Sequence, residues 1–88
     1  MKNVHITASE YSLLLAIDSH AEDICDYVKL SDACKHFAYY STSKLVVESC
    51  IDKHLVVLGN VIHGKETEIA LTARGIHAVL ERKIQLKL

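Results

Sequence analysis

Potential metal ligands occur along the sequence, and two of them have a helical spacing. Cys50 and His54 are four residues apart, so a helix would place both side chains on one face. A thiolate and an imidazole are both ligands that zinc accepts. The sequence has no CxxC pair, and Cys50 falls in an apolar helical pattern that favours a position in the core. We therefore predict no metal and no cofactor.

Motifs of known catalytic sites are missing from the sequence. It contains no glycine-rich phosphate loop, no nucleophile elbow and no HExxH pair of histidines. The six histidines are scattered, mostly at predicted surfaces or ends. A small helical core with one hairpin also offers little concavity in which polar groups can converge. The protein is therefore predicted not to be an enzyme.

The composition is that of one globular domain spanning residues 1–88. Apolar residues make up 50% of the chain and charged residues 24%, which is typical of a folded domain. The formal net charge is −1, whereas domains that bind nucleic acid usually carry a basic surface. No apolar run approaches the roughly 20 residues of a membrane span, and the first residues are too short and polar for a signal peptide. These features predict a cytoplasmic protein that does not contact membranes.

Capping signals divide the first half of the chain into three helices. Thr7 and Glu10 form a capping box, which predicts a helix over residues 8–20. After a short extended piece at residues 27–30, Ser31 is expected to cap a brief helix over residues 32–38. Ser41 is then expected to cap a third helix that runs to about His54. In that helix, apolar periodicity assigns one set of residues to the core (Val46, Val47, Cys50, Ile51) and another to the opposite side (Leu45, Glu48, Ser49, Asp52).

The second half reads as a β-hairpin that leads directly into a closing helix. Residues 55–62 are rich in β-branched and aliphatic side chains, and residues 66–71 alternate with period 2. The register stays open: a Gly64-Lys65 tip would pair Ile69 with Asn60, and a bulge at Gly59 would shift that pairing. Thr72 has the position of an N-cap, which predicts a helix over residues 73–82.

Both ends of the chain show short polar–apolar alternation. Residues 83–88 alternate over six positions, and Val4 and Ile6 do so at the start. We therefore expect two short strands that pair with each other or across a dimer. For the core, we expect one buried cluster that contains Leu14, Val47, Cys50, Ile69, Leu71 and Val79.

Three segments resemble the MarR-type winged-helix family. They are the capping-box segment that begins at Thr7, the pair Leu55-Val56 after the third helix, and the strand-to-helix segment from Ile69 to Gly75. The resemblance covers roughly residues 6–82. It implies an α+β fold, namely a winged helix-turn-helix with a three-helix core, a β-hairpin wing and a closing C-terminal helix.

The resemblance also implies a function, since members of this family are typically homodimeric transcriptional regulators that bind double-stranded DNA. Their third helix enters the major groove and their wing touches the DNA backbone. By position, the groove-facing residues here would be Ser41, Thr42, Ser43 and Lys44, and the wing tip would be His63, Gly64 and Lys65. This chain departs from the family in its short wing, in which Lys65 is the lone basic residue, and in the short segments at its ends.

A second class of function fits the same residues. Capping explains Ser41, and Lys44 with Glu48 has the spacing of an ordinary surface ion pair. Glu48 and Asp52 on the outer side of the third helix would repel phosphate. Together with the near-neutral charge and the exposed Leu45, these acids favour a protein-interaction module, such as an adaptor or an antirepressor, that does not bind DNA.

Overall fold

A computed structural model describes residues 5–23, 26–59 and 66–87 of the chain. In chain order its elements are α1 (Ala8–His20), β1 (Val28–Lys29), α2 (Leu30–Ala33), α3 (Tyr40–Asp52), β2 (Val56–Leu58), β3 (Glu68–Leu71) and α4 (Ala73–Lys87). The chain thus combines helices with a small sheet, in agreement with the predicted α+β class. Among the described residues, no helix is long and apolar enough to cross a membrane.

The three strands form one antiparallel sheet with β3 in the centre, in the order β1-β3-β2. On one side Val28 pairs with Ile69, and on the other Leu58 pairs with the same residue. The pairing of Ile69 with Asn60, considered from the sequence, is therefore wrong by two positions. A hydrogen bond from the Gly59 N–H to the Glu68 carbonyl, 2.7 Å long, continues the ladder beyond Leu58.

A single apolar core lies between the sheet and the helices. It contains the six residues expected from the sequence, each at most 7% exposed, which confirms that prediction. Helix α3 contributes Val46, Val47 and Cys50 to it. Among the described residues, the buried members of this cluster are Leu13, Leu14, Ile17, Val28, Ala33, Val46, Val47, Cys50, Leu55, Val56, Ile69, Leu71, Ala78 and Val79.

Two helix starts form as their sequence signals predict. At α1, the Glu10 N–H donates to the Thr7 hydroxyl over 3.2 Å, and the Thr7 N–H donates to the Glu10 carboxylate over 2.8 Å. At α4, the Gly75 N–H donates to the Thr72 hydroxyl over 3.1 Å. Both caps supply partners for N–H groups that the first turn of a helix leaves free.

The predicted strand at residues 83–88 is wrong, because α4 continues to Lys87. Two contacts with α1 extend over this part of the helix. The Arg82 guanidinium lies 4.8 Å from the centre of the Tyr11 ring, and Lys83 Nζ lies 2.5 Å from Asp18 Oδ2. At the other end, Val4 is outside the described residues and residues 5–7 form no strand.

Helix α2 is also shorter and earlier than the sequence suggested. It covers Leu30–Ala33, and the residue that precedes it is Lys29, so Ser31 lies within the helix and is not its cap. The Leu30 N–H donates to the Thr67 carbonyl over 2.9 Å. This bond ties the start of α2 to the sheet and fixes where the helix begins.

Candidate nucleic-acid interface

Helix α3 begins one residue earlier than the sequence predicted. Its N-cap is Tyr39, whose extended backbone (φ −126°, ψ 138°) precedes a helix that starts at Tyr40. The first helical hydrogen bond runs from the Ser43 N–H to the Tyr39 carbonyl over 3.1 Å. The prediction that Ser41 caps this helix is therefore wrong, and no side chain of a described residue provides a cap at this position.

Of the four predicted site residues on α3, the structure exposes three and buries one. Ser41, Thr42 and Lys44 lie exposed on the first turns of the helix. Ser43 is 7% exposed, and its hydroxyl donates to the Tyr40 carbonyl over 2.8 Å. The groove-facing position expected for Ser43 thus differs from its actual place on the buried side.

The solvent side of α3 carries a mixed apolar and acidic surface. Residues 41, 45, 48 and 52 share one face of a helix by their spacing, and all four are exposed. We call this set, Ser41, Leu45, Glu48 and Asp52, the outer face of α3. Leu45 is 67% exposed, and Tyr40 at the start of the helix is 82% exposed. Within α3 the basic residue is Lys44, which lies beside this face and precedes its two acids.

The opposite side of α3 is attached to α1 through a buried carboxylate. Glu10 is 2% exposed. It accepts hydrogen bonds from the Ser49 hydroxyl and from Lys53 Nζ, the latter at 2.7 Å. Lys53 also donates to the His5 carbonyl over 2.7 Å. We call the residues of α3 and its C-cap that are buried or take part in this contact, Ser43, Val46, Val47, Ser49, Cys50 and Lys53, the inner face of α3.

The charge state of Glu10 follows from these contacts. Burial by itself raises the pKa of a carboxyl, but hydrogen bonds from Lys53, from Ser49 and from the Thr7 backbone outweigh burial here. Together they lower the pKa of Glu10 from 4.5 to about 2. The carboxylate is therefore ionised at neutral pH, so the capping box of α1 is also one half of an ion pair with α3.

This cluster is not evident from the sequence. The helical pattern places Ser49 on the outer side of α3 and assigns no role to Lys53, whereas the two side chains reach Glu10 across 39 and 43 residues of chain. A local pattern cannot report a contact over that separation. A partial signal is present, since Ser49 and Lys53 are four residues apart and share a helical face.

The exit of α3 is tightly packed against the start of α4. His54 has a positive φ of 59°, and its carbonyl accepts a 2.6 Å hydrogen bond from the Thr72 hydroxyl. The helix therefore ends at Asp52, before His54, so Cys50 and His54 do not share one helix. Cys50 is fully buried, and burial, followed by the negative charge of Glu10, raises the pKa of its thiol to about 12.

Gly75 is required where α4 passes this exit. A Cβ atom at Gly75 would lie 2.0 Å from the Leu55 carbonyl oxygen. The Arg74 guanidinium donates to the Lys53 carbonyl in the same region, over 3.2 Å. Backbone and side-chain contacts thus fix the end of α3 relative to α4.

The predicted wing tip lies outside the described part of the chain. Strands β2 and β3 form the two arms of the hairpin, but His63, Gly64 and Lys65 lie outside the described residues. After the tip, Glu66, two residues before β3, and Glu68, the first residue of β3, are exposed. The arm of the hairpin that follows the tip is taken to include residues 66 and 67. Glu68 pairs across the sheet with Lys29, so a residue of opposite charge faces it directly.

Three helices followed by a two-stranded hairpin and a closing helix, with a short strand added to the sheet, define the winged helix-turn-helix fold. The winged-helix resemblance inferred from the sequence is confirmed at the level of the fold. No family model matches the sequence, and no curated protein matches it.

One similar solved structure is that of Bordetella bronchiseptica BpsR, a protein whose DNA binding is regulated by 6-hydroxynicotinic acid. The two chains superpose with a TM-score of 0.70 and are 22% identical. The match covers 86% of the present chain and 55% of BpsR, so this chain spans about half the length of that protein. At this identity the likeness shows a shared fold.

Proposed function

We propose that this protein is a winged-helix transcriptional regulator that binds double-stranded DNA in the cytoplasm as a homodimer. The first turn of α3 would enter the major groove, and the hairpin would touch the DNA backbone. The fold shared with a protein that binds DNA supports this proposal.

The observation that carries the proposal is the exposure of Ser41, Thr42 and Lys44 on a helix whose other side is fixed to the core. In helix-turn-helix proteins, the N-terminal residues of the second helix of the motif contact base edges. Hydroxyl groups can bond to bases or to phosphate, and an ammonium group neutralises phosphate. Ser43 is left out of the proposed interface because it is buried.

The acids on the outer face limit how α3 can contact DNA. Glu48 and Asp52 follow Lys44 by one and two turns of the helix. Contact with DNA must therefore be strongest at the first turn and weaken along α3, because phosphate repels both carboxylates. We expect weak binding overall, or binding that is selective for sequence.

A mobility-shift titration against random duplexes at low salt tests the DNA contact. Lys65→Ala should weaken binding to all sequences alike and reduce the salt slope by about one unit. Lys44→Ala should change sequence preference as well if its ammonium reaches a base edge. Lys83→Ala, on α4 and paired with Asp18, is the control; where light scattering shows that its mass is unchanged, it should bind as the unchanged protein does.

Removing the acids tests the same proposal from the other side. The double change Glu48→Gln and Asp52→Asn should strengthen DNA binding, because it removes repulsion without changing shape. The regulator proposal is rejected if neither this variant nor the unchanged protein shifts any duplex, and if the protein forms a stable complex with a cellular protein in a pull-down. The alternative function, a protein-interaction module, would then replace it.

We propose that α4 forms the interface of the homodimer. Its distal part exposes Leu80 and Ile84 to 54% and 62%. Their spacing of four residues places both on one face of the helix, and exposed apolar side chains grouped in this way often mark an interface. Light scattering should report a dimer, and Leu80→Gln with Ile84→Gln should yield a monomer. Leu45→Gln on α3, where the leucine is 67% exposed, is the matched control. An unchanged mass for the α4 variant would exclude this interface.

A further inference from the structure

A cavity opens between α3, the start of α2 and the arms of the hairpin. Its volume is about 470 Å³, which lies within the range of small-molecule sites in proteins. Its apolar wall includes Leu30, Val47, Ile51 and Leu58. Leu58 is 42% exposed, so part of this apolar wall is open to solvent.

The charged groups that line this cavity are on balance acidic. They are Lys44 and Glu48 from α3 and Glu66 from the hairpin arm, with a formal sum of −1. The ion pairs between described residues involve Glu10, Asp18 and Glu81, and none involves Glu48 or Glu66. Lys44 precedes Glu48 by four residues, which is the weaker order for a helical pair of opposite charge. Negative charge therefore remains beside the apolar wall.

We propose that this cavity binds a small amphipathic cation, with an aromatic or aliphatic body against the apolar wall and an amine directed to Glu48 and Glu66. An apolar wall with a few polar groups that fix orientation is the usual form of a small-molecule site. The charge selects the class of ligand, since an anion of the same shape would be repelled by the two carboxylates. Such a ligand would touch α3 and the hairpin at once.

Three probes with the same two-ring body and different charge test the proposal. They are 1-naphthylmethylamine (a cation), 1-naphthylmethanol (neutral) and the acetate probe, the anion of 1-naphthaleneacetic acid. Each is titrated into the protein without DNA, and backbone amide shifts are followed by NMR. The amine should bind about tenfold more tightly than the acetate, because each interaction with an exposed carboxylate is worth up to about fivefold. Saturating shifts are expected at Ser31, Lys44 and Thr67, which surround the cavity.

The matched variants separate charge from shape. Glu48→Gln with Glu66→Gln should bring the affinities for the amine and the acetate within about twofold of each other. Glu68→Gln is the control, since Glu68 is exposed on the same arm of the hairpin but does not line the cavity. It should keep the preference for the amine.

Several results would overturn the proposal. They are the absence of saturable binding, equal affinity of the unchanged protein for the amine and the acetate, and shifts centred on the distal part of α4. Because no DNA is present in these titrations, their result is independent of whether the protein binds DNA.

Discussion

On the inner face of α3, a buried carboxylate accepts hydrogen bonds from the Thr7 backbone, Ser49 and Lys53. On the outer face, Glu48 and Asp52 are exposed and form no ion pair with any described residue. The same type of charge therefore has opposite roles on the two sides of one helix. A buried carboxylate with several donors fixes position, whereas exposed carboxylates change stability little and determine which partners are attracted.

The comparison also separates two kinds of apolar residue. Val47 and Cys50 on the inner face are at most 7% exposed and belong to the core, whereas Leu45 on the outer face is 67% exposed. Shortening a core residue removes packing that nothing replaces, but shortening an exposed one changes mainly the surface. Substitutions on the two faces should therefore differ strongly in their effect on stability.

The largest expected effect comes from the core on which the inner face rests. Leu71 is 5% exposed and lies in the same cluster as Val47. Leu71→Ala should lower the free energy of unfolding by about 2–5 kcal/mol, the range for such changes in a core. Urea denaturation followed by circular dichroism measures it. A loss below about half a kilocalorie would contradict the burial of this residue.

The buried carboxylate is the next largest contribution. Glu10→Gln should cost about 2–4 kcal/mol, since it removes an ionised acceptor from Lys53 and leaves hydrogen bonds poorly satisfied. The matched control is Glu48→Gln on the outer face, which should stay within about 0.5 kcal/mol of the unchanged protein. Equal effects of the two substitutions on the free energy of unfolding would remove the distinction between the faces.

Stability should also depend on pH through Glu10. The pKa of this carboxyl is about 2 in the folded protein, below the reference value of 4.5. Its stabilising contribution is therefore complete above about pH 4.5 and is lost as the pH falls toward 2, by up to about 3 kcal/mol. Denaturation midpoints between pH 2 and 6 should show this slope, and Glu10→Gln should reduce it. An equally steep slope in the variant would assign it to other carboxylates.

A smaller loss is expected at the joint between the exit of α3 and α4. Gly75→Ala would bring a methyl group against the Leu55 carbonyl, and the shift of backbone needed to relieve it should cost about 1–3 kcal/mol. Gly59→Ala is the milder comparison, because its nearest contacts would be side-chain atoms at 3.2 Å. The two melting temperatures can be compared directly, and Gly75→Ala should melt at the lower one.

Local signals predicted a large part of this fold. The capping box at Thr7, the N-cap at Thr72, the bounds of α1 and the six residues of the core follow from side-chain chemistry and periodicity over a few positions. The same reasoning failed at residues 83–88, where six alternating positions resembled a strand but α4 continues to Lys87. Lysine, glutamine and leucine are good helix formers, and the contacts of Arg82 and Lys83 with α1 are compatible with helix.

The candidate site was predicted less completely, for a physical reason. Ser41, Thr42 and Lys44 are exposed, as the sequence analysis expected. However, α3 starts one residue earlier than predicted, and Ser43 is buried and not exposed. The inner-face cluster joins Glu10 to residues 39 and 43 positions away. Such contacts depend on how helices pack, and that information is not contained in any short segment.

The shared use of Glu10 has a consequence for motion. One carboxylate closes the first turn of α1 and receives Ser49 and Lys53 of the third helix. Fraying of that turn must therefore release the C-terminal half of α3 in the same opening event. Amide hydrogen exchange should then show equal opening free energies for the backbone N–H groups of residues Glu10 and Lys53. In Glu10→Gln, the amides at both positions should exchange faster. A partner that binds α3 would meet a helix whose position is set by the first turn of the chain's first helix.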